Sequence, residues 1–158
     1  MNKPTLSGLT VIVGITGSIA AYKAADLVSR LRKEEADVST VMTPDATRFV
    51  TPLTYQALSG NQVFTDMFAR EHSHNPRHIS LADRADVIVI APATADFIGK
   101  IAAGRADDLL SAVVMTFKGP VLIAPAMNSA MYANPILRKN IDTLTNYGYR
   151  FIGPEKGY

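Results

Sequence analysis

Apolar residues gather along the chain in four short runs, over 9–15, 38–42, 86–91 and 120–124, rich in Val and Ile and closed by nearby Gly or Pro. Their hydrophobicity is continuous, not alternating, which predicts strands covered on both faces, as in a parallel sheet. A weaker fifth run, 149–152, follows Gly148. Between the runs lie helical patterns over 18–33, 52–58, 94–103, 107–117 and 134–147. Strand and helix alternate, so the expected architecture is α/β, with a parallel sheet of five or six strands built from right-handed crossovers. The polar stretch 70–77, which holds His72 and His74, reads as a loop long enough to form a flap.

Composition narrows this picture more than it extends it. At 158 residues and 47% hydrophobic content, the chain suits one domain over 1–158, burying roughly 70% of its unfolded surface. Basic and acidic residues nearly balance, 16 against 14, with no basic block, so neither a nucleic acid nor a membrane surface is an expected partner. There is no cysteine, which excludes disulfides and thiolate metal ligands. No run approaches the roughly 20 apolar residues of a membrane span, and the N-terminus lacks a signal-peptide core, so a cytoplasmic location is expected. Alanine-rich helices carrying Met115 and Met131 leave apolar surface that suggests a homo-oligomer.

The first strand runs into Val13-Gly14-Ile15-Thr16-Gly17-Ser18-Ile19-Ala20. Gly17 would let backbone approach an anion, Ser18 would cap the following helix, and the helix N-terminus would supply free N–H groups. The same turn also serves plain chain reversal. A dinucleotide is disfavoured, because the second strand ends Val41-Met42-Thr43 without the acid that holds a ribose diol. A Walker-type triphosphate site is disfavoured too, since Lys23 lies well inside the helix. Thr43 and Asp45 offer small polar groups suited to a monophosphate or a ribityl chain.

Two later strands end alike, in Ile90-Ala91-Pro92-Ala93-Thr94 and Ile123-Ala124-Pro125-Ala126-Met127-Asn128. Proline is expected to end each ladder and throw the next residues over the carboxyl edge of the sheet, where open α/β sheets bind ligands. His78 opens His78-Ile79-Ser80-Leu81 ahead of the strand at 86–91. An imidazole can serve proton transfer, although a helix cap or a surface residue is the commoner role. His72, His74 and His78 show no ligand spacing, and no metal is expected.

These motifs, in this order and over nearly the whole chain, resemble the flavin-dependent cysteine decarboxylases. The likeness is nearest to the branch that converts 4'-phosphopantothenoylcysteine to 4'-phosphopantetheine in coenzyme A synthesis. It rests on Gly17-Ser18-Ile19-Ala20-Ala21-Tyr22-Lys23, on His78-Ile79-Ser80-Leu81, on Pro92-Ala93-Thr94-Ala95-Asp96 and on Pro125-Ala126-Met127-Asn128. The resemblance implies a Rossmann-like (flavodoxin-like) three-layer sandwich, assembled as a homotrimer or a dodecamer of trimers, with FMN at a subunit interface. It assigns the phosphate end of FMN to Gly17, Ser18, Ile19, Thr43 and Asp45, and the flavin to Thr94, Ala95, Asp96, Phe97, Ala126 and Met127. His78 falls on the active-site histidine and Asn128 on the substrate-carboxylate asparagine. Asp96 departs from the Asn that some members carry.

The implied chemistry begins with flavin oxidation of the carbon bearing the thiol, because a cysteinyl carboxylate alone has no sink for the electrons left by CO₂. The family's substrate clamp, with an Ala-Cys-Gly motif, would begin just after Gly157-Tyr158, so this chain is expected to lack the clamp and its reductive half-reaction. A fused C-terminal phosphopantothenate–cysteine ligase domain is a further expectation. The competing readings are a peptidyl-cysteine decarboxylase, a prenyl-transferring flavoprotein of the same fold, a non-catalytic FMN-binding regulatory subunit, and a nucleotide-sugar or NAD-binding module.

Overall fold

The computed structural model describes residues 5–69 and 75–155. Six parallel strands form one sheet: β1 (Thr10–Ile15), β2 (Asp37–Met42), β3 (Val63–Phe64), β4 (Val87–Ala93), β5 (Val121–Pro125) and β6 (Arg150–Phe151). Helices α1 (Ala21–Lys33), α2 (Pro52–Ser59), α3 (Arg77–Arg84), α4 (Ala95–Ala102), α5 (Leu109–Thr116), α6 (Ser129–Ala133) and α7 (Pro135–Asn146) fill the connections, with a 3-10 turn at Ala46–Arg48. The strand order is β3-β2-β1-β4-β5-β6, a Rossmann-like α/β architecture of the flavodoxin-like kind. It reverses direction between β1 and β4, which is where such sheets open a crevice at their carboxyl edge.

Strand alternation sorts the core into two clusters. Val11, Val13 and Ile15 of β1 and Val38 and Met42 of β2 pack with Ala21, Ala24 and Val28 of α1 and Tyr55 of α2. Ile12, Ile88, Ile90 and Ile123 point the other way, toward α3, α4, α5 and α7. Leu122 and Ala124 of β5 face the α1 side, are half-buried and belong to neither cluster. No described helix is long and apolar enough to cross a membrane.

Several expectations shift in detail. α1 begins at Ala21, not at residue 18, because Ile19 and Ala20 complete a turn first. Helix α3 occupies residues that the pattern left unassigned, and β3 and α6 are each too short for a periodic signal. The loop expected over 70–77 lies outside the described residues from 70 to 74, as do His72 and His74, while Arg77 belongs to α3. Its side chain is buried, with the guanidinium 5.0 Å from the centre of the Phe64 ring. Pro92 does not end its strand: β4 continues to Ala93 across a register shift against β5, where a residue without an N–H costs no ladder bond.

Candidate active site at the carboxyl edge

Parallel strands joined by crossovers all deliver the chain to one edge, so the exits of β1, β2, β4 and β5 and the starts of the helices after them lie together. The β1 exit is a compact turn. Ser18 N–H donates to the Thr16 carbonyl at 2.9 Å, Ala21 N–H to the Ser18 carbonyl at 2.9 Å, and Ala20 N–H to Ser18 Oγ at 3.1 Å. Ser18 therefore serves the turn, and the residue preceding the helix is Ala20, with no side-chain cap. That corrects the expected helix-capping role of Ser18. Among the described residues, the Gly17 and Ile19 amides donate to no protein acceptor. Two free N–H groups in a turn that opens a 13-residue helix suit an anion.

Gly17 is required by a neighbour. A Cβ there would stand 2.5 Å from Asp45 Cβ and 3.3 Å from the Asp45 carbonyl carbon. The β1 and β2 exits thus touch backbone to backbone. Thr43 N–H donates to the Ile15 carbonyl at 3.0 Å, and Thr43 Oγ1 accepts from Ala46 N–H at 3.3 Å. The Thr43 O–H donates to no acceptor among the described residues, and Asp45 leads into the 3-10 turn with its side chain exposed.

The other half of the edge is made by β4 and β5. Thr94 precedes α4 and its Oγ1 accepts from Phe97 N–H at 3.1 Å. Ala126 N–H donates to the Ala93 carbonyl at 3.0 Å, which locks the two proline-bearing exits side by side. Ala95 and Met127 are half-buried, and Asp96 is exposed in the first turn of α4. Phe97 is 2% exposed and its ring belongs to the core, so it meets this edge through its backbone. Asn128 precedes α6, and its Oδ1 accepts from Ala130 N–H at 2.7 Å. That bond fixes the amide: Nδ2, with its two donors, is the end left to face a ligand.

His78 is the second residue of α3 and half-buried. Because α3 leads into the start of β4, its N-terminal end lies toward the carboxyl edge, on the α5 side. Topology thus brings His78 to the edge that holds Gly17, Thr94 and Asn128, without a hydrogen bond joining it to them.

The shifted titrating groups lie outside this constellation. Burial pushes the Tyr55 hydroxyl up to about 12, and its O–H donates to the Ala21 carbonyl at 2.7 Å. Burial works against the charge of Lys100, but hydrogen bonds to Asp107 and Asp108, each 2.9 Å, outweigh it and raise its pKa. The Lys100 ammonium in turn lowers the pKa of Asp107. No metal-binding cluster occurs among the described residues. A groove of about 400 Å³ between α4, α5 and α7, flanked by Met115, Tyr147 and Tyr149, includes none of the edge residues.

The sequence reading passed over Thr16. It is 1% exposed, its Oγ1 donates to the Pro92 carbonyl at 2.6 Å and accepts from Thr94 N–H at 3.0 Å, and its own N–H also reaches Pro92 O, at 3.3 Å. A hydroxyl inside an otherwise apolar strand end, one residue before the glycine turn, was the available signal.

The edge fits a flavin nucleotide. Free amides and a close-approach glycine suit a phosphate, while the small, half-buried residues Ala95 and Ala126 leave a low wall for a flat ring. Residues 2–158 match the Flavoprotein family. The chain is 48% identical over 153 residues to the coenzyme A biosynthesis bifunctional protein CoaBC of Haemophilus influenzae and 47% identical to that of Bacillus subtilis. Each match takes in 97% of this chain and 38% of the relative, so the chain spans little more than a third of their length. Its fold is similar to the FMN-dependent cysteine decarboxylase SpaF, with TM-score 0.92 and 35% identity over 97% of this chain and 88% of that one. It is also similar to a PPC decarboxylase mutant complexed with pantothenoylaminoethenethiol, with TM-score 0.82 and 30% identity over 94% and 83%. From β1 to the end of β6, this chain belongs to the Flavoprotein family.

Proposed function

We propose that the chain is the FMN-dependent decarboxylase part of a protein that converts 4'-phosphopantothenoylcysteine to 4'-phosphopantetheine in coenzyme A biosynthesis, and that the residues of this chain serve oxidation of the thiol carbon and release of CO₂. The observation that carries this reading is the delivery of four strand exits to one carboxyl edge, with a cradle of free N–H groups at the β1 exit and the fixed Asn128 amide at the β5 exit. The relatives' names support a place in coenzyme A biosynthesis, the solved PPC decarboxylase supports the substrate, and the solved FMN-dependent cysteine decarboxylase supports FMN.

In this reading Gly17, Ser18 and Ile19 hold the phosphate with their backbone. Thr43 donates to the phosphate or the ribityl chain, and Asp45 shapes the cradle through its contact with Gly17. Thr94, Ala95, Asp96, the Phe97 backbone, Ala126 and Met127 line the ring. When bound, the flavin supplies a two-electron oxidant for the carbon that carries the substrate thiol. A C=S group at that carbon would lie β to the carboxylate and would take up the electron pair left when the C–C bond to CO₂ breaks, as an enethiolate. Asn128 Nδ2 donates to the carboxylate and fixes its orientation, a positioning effect of the kind that lowers barriers by pre-ordering reactants. His78 takes the proton from the thiol and holds the thiolate near the ring.

The proposal extends to an assembly of trimers with FMN at the subunit interface, which the half-buried Leu122 and Ala124 support, and to a ligase domain in the longer protein. The test is CO₂ release from phosphopantothenoylcysteine by the flavin-loaded protein. Asn128→Asp keeps an acceptor for Ala130 N–H but sets a carboxylate against the substrate's, so it is expected to retain flavin colour and to release CO₂ at least about a hundredfold more slowly. His78→Asn is expected to behave alike, by about a hundredfold. Protein that takes up no FMN, or an Asn128→Asp variant with full CO₂ release, overturns the reading.

A further inference from the structure

We propose that Thr16 is a positioning residue that sets the spacing between the phosphate cradle and the ring wall. This rests on the FMN reading above and deepens it. The cradle belongs to the β1 exit and the wall to the β4 exit, and between them runs the switch point, where the sheet opens. No helix crosses directly from β1 to β4, since β1 leads to β2 and β4 is reached from β3. The last backbone pairing between the two strands joins Gly14 and Ile90. Beyond it the exits are tied by one backbone bond, from Thr16 N–H to the Pro92 carbonyl at 3.3 Å, and by the Thr16 side chain.

Thr16 bridges that gap. It uses all of its hydrogen-bonding groups that face β4: the amide and the hydroxyl hydrogen both reach the Pro92 carbonyl, and the hydroxyl oxygen takes the Thr94 amide. The bridge is buried, so water does not compete for it, and each bond is worth more than at the surface. Its two ends are one residue from Gly17 and at Thr94 itself. A ligand that touches only the wall is indifferent to where the cradle stands. A ligand that spans both halves binds with the sum of its contacts only if their separation matches its length, so loosening the bridge weakens the spanning ligand selectively.

Valine at this position keeps the volume and the branching but removes the acceptor for Thr94 N–H and one donor to Pro92 O. Serine keeps both. The test is equilibrium binding of FMN and of riboflavin, which lacks the phosphate, to the stripped full chain of the unmodified protein, Thr16→Val and Thr16→Ser. Binding is followed by flavin fluorescence, and the thermal midpoint of each flavin-free protein is recorded. The unmodified protein is expected to prefer FMN. In Thr16→Val that preference should fall about tenfold or more, with riboflavin affinity changed by less than about threefold, and Thr16→Ser should restore it.

A purely structural role predicts a lower midpoint in Thr16→Val with both flavins weakened equally, and that result overturns the inference. An unchanged preference overturns it as well. Should the unmodified protein itself show no preference for FMN over riboflavin, the fault lies in the FMN reading, because then no phosphate cradle exists for Thr16 to position. If Thr16→Val fails to fold, the serine variant alone decides: loss of preference in Thr16→Ser, which retains every polar group of the bridge, is incompatible with the proposed role.

Discussion

At Gly17 the need for glycine comes from distance, not from an unusual backbone angle. An added Cβ meets Asp45 Cβ at 2.5 Å, and Asp45 is held by its own backbone, not at the end of a flexible side chain. Gly17→Ala must therefore push the β1 and β2 exits apart, an overpacking cost of about 1–3 kcal/mol. The expected outcome is weaker flavin retention and a lower thermal midpoint. Because the severest clash is with Asp45 Cβ, Asp45→Gly placed on top of Gly17→Ala should recover part of both losses, and a double-mutant cycle by flavin titration reads that coupling. Additive losses would mean that the glycine matters for another reason. The sequence reading had the right residue with an incomplete cause: nothing in the one-dimensional pattern places Asp45 against Gly17, since their contact depends on how far the second strand extends.

Among the elements, the N-terminal turn of α1 has no side-chain cap of its own, and Tyr55 of α2 supplies an outside tie through its bond to the Ala21 carbonyl. Tyr55→Phe removes one buried hydrogen bond and is expected to cost about 1 kcal/mol. The pH dependence follows from the raised pKa. Below pH 10 the hydroxyl is neutral in both folded and unfolded chains. Between 10 and about 12 the unfolded chain ionises first, so stability falls as pH rises through that window. Tyr55→Phe should lose this part of the alkaline decline, leaving those of Lys100 and Tyr149, whose pKa values are also raised. Urea unfolding at pH 8, 10 and 11.5 measures it.

The strands and most helices were legible because their apolar periods are long enough to be read. Thr94, Asp108 and Asn134 cap α4, α5 and α7 close to the expected starts. What was illegible had no period. α3 covers eight residues and begins beside a polar stretch, β3 has two residues, and the passage of β4 through Pro92 contradicts a rule that holds away from register shifts. His78 and Asn128 stood out through motif likeness. Their delivery to one edge depends on strand order, which no local pattern encodes.

Across the whole molecule the two faces of the sheet are dressed unequally. Helices α3, α4, α5 and α7 contribute to the core on one face, while α1 and α2 pack on the other, over the β1–β2 side. Register pairs Val89 with Leu122 and Ile123 with Phe151, so alternation puts Leu122, Ala124 and Ile152 together on the less covered face, and Ile152 is 54% exposed. An apolar strip on the sheet that carries the β4 and β5 exits is what a subunit contact near the flavin would use. Burying the rest of a half-buried leucine there contributes about 1 kcal/mol, and a charge in its place must be desolvated without a partner. Leu122→Arg is thus expected to weaken self-association at least about tenfold, read by sedimentation over a concentration series, while a surface control such as Lys139→Glu leaves it unchanged. If FMN sits at that interface, the dissociated Leu122→Arg subunits also lose flavin in step with their dissociation. An unmodified protein that sediments as a monomer when flavin-loaded would remove the interface, and subunits that separate yet keep FMN would place the whole cofactor site within one chain.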